Sequence, residues 1–174
     1  MTNQSLYIVD LARCTGCQAC SIACKDRANL PDDLDWLHVE PREGGVYPKP
    51  ALYYRVTHCF HCAEPPCVEI CPMIAITKQD NGRVRIDPDL CVACEACIDL
   101  CPFCAIVIGP EGAASKCDGC ADEVDLGQEP ACVRACPMRA LDYRPAENVL
   151  FEKRIQDSEF DDHGIGPAVL YLRR

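Results

Sequence analysis

The 174-residue chain is poor in aromatic side chains, which make up 6% of it, and its 49% hydrophobic share includes 17 cysteines. Its ordinary apolar core is therefore thin, and one or two small domains of this length need something else to fill them. No Gly-x-Gly-x-x-Gly follows a strand: Gly164 and Gly166 lack both the third glycine and the strand. There is no phosphate-binding loop and no His-Glu-x-x-His, so nucleotide-binding and metalloprotease fingerprints are missing. No basic patch exists either. The net charge is −10 and the pI about 4.8, which argues against nucleic acid as a partner. The acidity suits a basic docking face on another protein, with association weakened by salt, or simply keeps a small protein soluble. No apolar run approaches the length that crosses a bilayer. Residues 1 to 13 show no basic start, signal-length apolar stretch or small-residue cleavage site. With reduced cysteines, these absences predict the cytoplasm; export alongside a signal-bearing partner is the alternative.

What the chain does have is cysteine in four groups of four. Group one is Cys14, Cys17, Cys20 and Cys24, spaced C-x2-C-x2-C-x3-C. Group two is Cys59, Cys62, Cys67 and Cys71. Group three, Cys91, Cys94, Cys97 and Cys101, repeats the first spacing. Group four is Cys117, Cys120, Cys132 and Cys136, with eleven residues before its third member. Three thiolates at this spacing can point inward at three corners of one iron–sulfur cube. The fourth reaches a neighbouring cube, so groups must exchange their last cysteines in pairs. Pro72, Pro102 and Pro137 follow the last cysteine of three groups and turn the chain away from the helix. Group one has Lys25 there. A disulfide scaffold with this cysteine density belongs to small secreted chains, a context the sequence lacks. A zinc ribbon needs two C-x2-C pairs but no third cysteine and no exchanged fourth.

Flanking residues say which groups pair. Ala75-Ile76-Thr77, Asn81-Gly82 and Val84-Arg85-Ile86-Asp87 read as a hairpin joining groups two and three. Asp10 and Asp87 each precede the first cysteine of a group by four, so group one opens like group three. Pro137-Met138-Arg139-Ala140-Leu141 repeats the register of Pro72-Met73-Ile74-Ala75-Ile76, so group four closes like group two. The outer groups thus read as a second, permuted unit with the first inserted into it. The expected ligand sets are Cys14, Cys17, Cys20 with Cys136; Cys117, Cys120, Cys132 with Cys24; Cys59, Cys62, Cys67 with Cys101; and Cys91, Cys94, Cys97 with Cys71. The clusters are expected in a row that starts at the group-one set and runs through the inner pair. Cys104 aligns with Ile74 and Arg139, which are not ligand positions, and reads as a small apolar residue packed beside a cluster.

Outside the two units lie three inserts. Residues 25 to 58 contain Leu34, Trp36, Gly44, Gly45, Pro41, Pro48 and Pro50, then a strand expected from Leu52 to Val56. Residues 109 to 131 include Asp122-Glu123-Val124-Asp125. The tail from Pro145 to Arg174 holds Val149, Leu150, Phe151 and Ile155 and ends in Val169-Leu170-Tyr171-Leu172. It reads as a strap on its own domain, with a docking surface as the alternative. His58 and His61 flank Cys59 and Cys62 and are read as structural, with hydrogen bonding to a cluster as the alternative. Nothing in the chain is equipped to bind an organic substrate, and no catalytic site of its own is expected.

The runs Arg13-Cys14-Thr15-Gly16-Cys17, Ala23-Cys24-Lys25, Lys116-Cys117-Asp118-Gly119-Cys120-Ala121, Pro130-Ala131-Cys132, Cys136-Pro137 and Arg139-Ala140-Leu141-Asp142 closely resemble the four-cluster subunit of the dimethyl-sulfoxide-reductase family, as does the segment Gly166 to Leu172. The resemblance spans nearly the whole chain. It implies an electron-transfer subunit with four 4Fe-4S clusters and no membrane span of its own, working between a molybdenum or tungsten bis-pyranopterin catalytic subunit and a second partner, a membrane quinone subunit or soluble donor. Similar small polyferredoxin subunits accompany tungsten aldehyde oxidoreductase-type catalytic subunits, and the second partner would be a flavin subunit, a soluble ferredoxin or further copies of the chain. A nitrate-reductase-like branch has tryptophan at the second cysteine of group three; Cys94 stands here, so four cubanes are implied. Cys101-Pro102-Phe103-Cys104-Ala105 differs from the family's usual Cys-Pro-Tyr-Gly-Ala, and the chain is shorter than members with a membrane partner. The fold expected is α+β: two ferredoxin-like two-cluster units, an outer one from 1–58 and 109–144 and an inner one from 59–108, with loop inserts and a 145–174 extension. A free-standing polyferredoxin carrier is the alternative to a complex subunit.

Overall fold

A computed structural model of the chain describes residues 4–148 and 155–173. The first strand, β1 (Ser5–Asp10), leads into the group-one loop and helix α1 (Ala19–Arg27). A long hairpin follows, β2 (His38–Val46) and β3 (Lys49–Thr57). The middle of the chain holds α2 (Pro66–Glu69), β4 (Ile76–Lys78), β5 (Val84–Ile86), α3 (Ala96–Leu100), β6 (Val107–Ile108) and β7 (Ala114–Ser115). Then come α4 (Ala121–Asp125), α5 (Ala131–Arg134), β8 (Leu141–Pro145), β9 (Ile155–Gln156) and β10 (Val169–Arg173). Among the described residues no helix is long and apolar enough to cross a membrane.

Two strand pairs stand in matching register. In the middle of the chain β4 runs antiparallel to β5 with Ile76 opposite Ile86, and Asp87 N–H donates to Ala75 C=O at 2.8 Å. In the outer segments β8 runs antiparallel to β1 with Leu141 opposite Val9, and Asp10 N–H donates to Ala140 C=O at 2.8 Å. In each case the paired residues lie five positions outside the cysteines that follow or precede them. The Asn81-Gly82 turn lets the first pair form locally, whereas the second joins strands from far ends of the sequence.

The helices differ for a reason visible in sequence. α3 stops at Cys101 because Pro102 follows, while α1 runs on through Lys25 to Arg27, since proline's ring and missing N–H would break the ladder there. Arg27 then reaches Asp118 at 2.8 Å and Asp122 at 3.0 Å, tying α1 to the group-four loop.

The insert after α1 holds more structure than the strand expected from Leu52 to Val56. β2 and β3 form a nine-residue ladder from His38 opposite Thr57 to Val46 opposite Lys49. Its outer half is exposed, with Tyr47 at the tip 95% exposed. That outer half is wet on both faces and needs no alternation of apolar residues, so Pro41, Gly44 and Gly45 hid the first strand.

The tail joins the outer sheet. β10 pairs parallel with β1, Tyr7 opposite Val169 through Asp10 opposite Leu172, giving the strand order β8-β1-β10-β9. Tyr171 is buried beside Phe60, Val9 and Val56, and its hydroxyl donates to the Val56 carbonyl. The buried Asp157 carboxylate accepts from Arg55 at 2.7 Å and Arg173 at 2.8 Å, fastening the tail to the base of the β2–β3 ribbon. Val149, Leu150 and Phe151 lie outside the described residues, as does the side chain of Ile155.

Candidate metal centres

The first C-x2-C loop of each group turns the same way. The residue before the second cysteine has a left-handed backbone in each: Gly16 (φ 69°), His61 (φ 47°), Ala93 (φ 52°) and Gly119 (φ 73°). That turn is what swings two thiols towards one point. Gly16 has a further reason to be glycine, since a Cβ there would sit 2.4 Å from the Tyr54 ring of the ribbon.

The thiols gather in four sets drawn from different stretches of chain. Cys14, Cys17, Cys20 and Cys136 line one cavity, with Val39 and Val56 of the ribbon behind them. Cys59, Cys62, Cys67 and Cys101 line a second with Phe60 and Phe103. Cys71, Cys91, Cys94 and Cys97 line a third. Cys24, Cys117, Cys120 and Cys132 are all buried and close together: Cys120 raises the proton affinity of Cys24 and Cys132, and Cys24 and Cys132 raise that of Cys117. In every set the fourth cysteine of a group stands with the first three of another. Among the described residues no three His, Cys, Asp or Glu side chains converge on a point as ligands of a single ion would; the sets ring wider spaces.

Burial dominates their electrostatics. It pushes Cys24 up to about 12, helped by Cys120 and Asp118, and Cys62 up to about 12, helped by Cys59, Cys101 and Cys67. Cys20 rises to about 11 from burial and from Cys14. Four crowded thiolates are stable only around a strongly cationic group, and binding one displaces their protons. Iron–sulfur cubes meet that requirement with four cysteine ligands each, so the donor chemistry fits. Backbone dipoles help at particular sulfurs. Burial pushes Cys71 up, but the N–H groups of Met73, Ala75, Ile76 and Ile74 outweigh it and its pKa falls. Ala140 N–H donates to Cys136 Sγ at 3.2 Å and Ala114 N–H to Cys91 Sγ at 3.3 Å. Ala114 lies on the β6–β7 hairpin, whose two-residue strands are too short to leave a periodic pattern in sequence.

The sets also touch in order. Cys20 of the group-one set acts on Cys132, Cys117 feels Cys59, and Cys67 feels Cys97. The row is therefore group one, group four, group two, group three. Each end has one exposed ligand candidate, Cys17 or Cys94, and the two middle sets have none.

His58 and His61 are buried and neutral. Burial holds His58 down to about 4, where its Nδ1 lies 2.8 Å from the Cys59 carbonyl and its ring meets Tyr7 and Phe60 edge on. His61 accepts from Val84 N–H through Nδ1 at 3.0 Å, which leaves the proton on Nε2.

Cys104 requires a correction. It is exposed rather than packed away, in a left-handed turn with φ 48°, the conformation also found at Ile74 and Arg139. Its backbone N–H donates to Cys101 C=O at 3.1 Å, and the turn carries its side chain out to solvent. Cys104→Gly is expected to stabilise the loaded protein by about 1 kcal/mol, because a Cβ is unfavourable in this backbone region. Anaerobic urea titration checks this, with iron content unchanged.

A family profile described as a 4Fe-4S dicluster domain matches residues 50–145. The sequence is 36% identical over 158 residues to the B chain of the anaerobic dimethyl sulfoxide reductase of Escherichia coli (strain K12), covering 86% of this protein and 77% of that one. It is 37% identical over 181 residues to the thiosulfate reductase electron transfer subunit PhsB of Salmonella typhi, covering 100% and 94%. A more distant relative, the arsenate respiratory reductase iron–sulfur subunit ArrB of Shewanella sp. (strain ANA-3), is 27% identical, with 95% and 94% covered.

Proposed function

Since this protein belongs to the 4Fe-4S dicluster family, among the iron–sulfur electron-transfer subunits of the dimethyl sulfoxide reductase type, we propose that it relays electrons to or from a molybdenum bis-pyranopterin catalytic subunit. Its four thiol sets hold one 4Fe-4S cluster each, and the α+β fold is two ferredoxin-like units, the inner one inserted in the outer. The observation that carries the reading is the exchange: every set joins three cysteines of one group to the last of another. The matching β4–β5 and β8–β1 registers support the two-unit description.

The clusters supply one-electron sites whose potentials depend on charge, hydrogen bonds and exposure. The polypeptide leaves no exposed cysteine in the two middle sets and brings Cys17 and Cys94 to the surface, so electrons enter and leave at the ends of the row. The segments around the group-three set expose Ile70, Met73, Ile74, Leu90, Val92 and Leu100, and those around the group-one set expose Ile22 and Met138. Apolar surface gathered beside a redox centre suits a docking face. One end meets the pterin subunit and the other a flavin subunit, a soluble ferredoxin or another copy. A tungsten pterin would serve in place of molybdenum, and the cytoplasm is the compartment this reading assigns.

Purification under anaerobic conditions tests the proposal. The expected result is about sixteen irons per chain, a dithionite-reducible spectrum and a stoichiometric large subunit containing molybdenum or tungsten. A colourless protein would refute the cluster reading. A loaded protein that purifies alone, with no large subunit, would favour the free-standing carrier.

A further inference from the structure

We propose that Lys116 sets the ease of reduction at the crossing between the two units, a role that rests on the cluster reading above. Lys116 stands directly before Cys117, yet its side chain turns inward and the residue is 4% exposed. Its Nζ donates to the carbonyl of Val84 on β5 and to the carbonyl of Cys117 at 3.1 Å. One ammonium is thus held jointly by the inner and outer segments, at the place where Cys117 of the group-four set feels Cys59 of the group-two set.

A buried lysine ordinarily has a carboxylate partner. Among the described residues Lys116 forms no ion pair, and its Nζ donates to two backbone carbonyls. The rings of His58 and His61 nearby are neutral and already feel its charge. The anionic groups left to balance it are the thiolate sets themselves. Its field reaches Cys67, where it opposes the upward push of burial and of Cys59. Each added electron makes a four-thiolate site more negative. A fixed positive charge held at the Cys117 carbonyl, in an interior that salt screens little, favours that reduced form. The end sets have Cys17 and Cys94 in solvent, where water and salt screen a distant charge, so the effect falls on the middle of the row. Lys116 is a positioning residue in this sense: it touches no substrate and acts through the sites on either side of it.

The test is Lys116→Met in the full chain, purified without air and titrated potentiometrically with paramagnetic resonance detection. The expected result is full iron content and a fall of at least about tenfold in the reduction equilibrium of one or both middle clusters, about 59 mV for a one-electron couple. The two end clusters should move much less, and Lys116→Arg should stay near the parent. If the methionine variant loses iron, Lys116→Gln, which keeps a donor for the carbonyls and removes the charge, gives the same comparison. Four unchanged potentials in an iron-replete neutral variant would overturn the proposal. A parent protein without clusters would instead overturn the reading beneath it.

Discussion

Replacing Cys136 with alanine is expected to abolish the cluster of group one and leave that of group four in place, although Cys136 belongs to group four in sequence. The geometry gives the reason. Cys136 lies in the cavity with Cys14, Cys17 and Cys20, where Ala140 N–H supports its sulfur, while Cys117, Cys120 and Cys132 take Cys24 as their fourth member. Iron should fall by about a quarter, from about sixteen per chain, and the signal of one end cluster should vanish. Transfer to any partner docked at that end should drop by orders of magnitude, because the first stepping stone is gone. Cys24→Ala should do the reverse, removing a middle cluster while the group-one signal survives. Loss of the group-four signal in the Cys136 variant would show the exchange to be wrong.

Stripping iron with a chelator is expected to unfold the chain. Cys20, Cys24 and Cys132 belong to the main apolar cluster, with Leu37, Val56 and Tyr171, and Cys97 sits in the second with Ile76 and Val84. The core is packed around the thiols rather than beside them. A structural metal site contributes on the order of 10 kcal/mol, while a whole domain is stable by only about 5–15 kcal/mol, so losing four sites exceeds the margin several times over. The apo chain should show no sharp thermal transition by circular dichroism and should recover one when iron and sulfide are restored. A cooperative transition without iron would mean that the protein core suffices.

The sequence shows most of the candidate site and less of the frame that holds it. Cysteine spacing, the Asn81-Gly82 turn and the matched positions of Asp10 and Asp87 are local patterns, and they point to the sets and the register of β1 with β8. The parallel pairing of β1 with β10 leaves no such trace, because partners more than 150 residues apart carry no short-range signature. Lys116 is legible only as part of a motif; nothing in the sequence says that a lysine beside a cysteine turns inward. Cys104 departs from expectation because cysteine is usually buried, whereas its left-handed turn decides its exposure. The ribbon's first strand escapes detection for the opposite reason, since beyond Val39 both its faces meet water.

The parallel seam between β1 and β10 bears on how the protein is made. While a nascent chain is still on the ribosome, residues 59–108 already include every cysteine of the two inner sets, and their hairpin closes locally. The strand that opens the outer portion emerges first yet waits for β8 and β10, which are translated near the other end. Filling is therefore expected in two instalments, the inner sites while the chain is still being made and the outer ones once the late strands have left the exit tunnel.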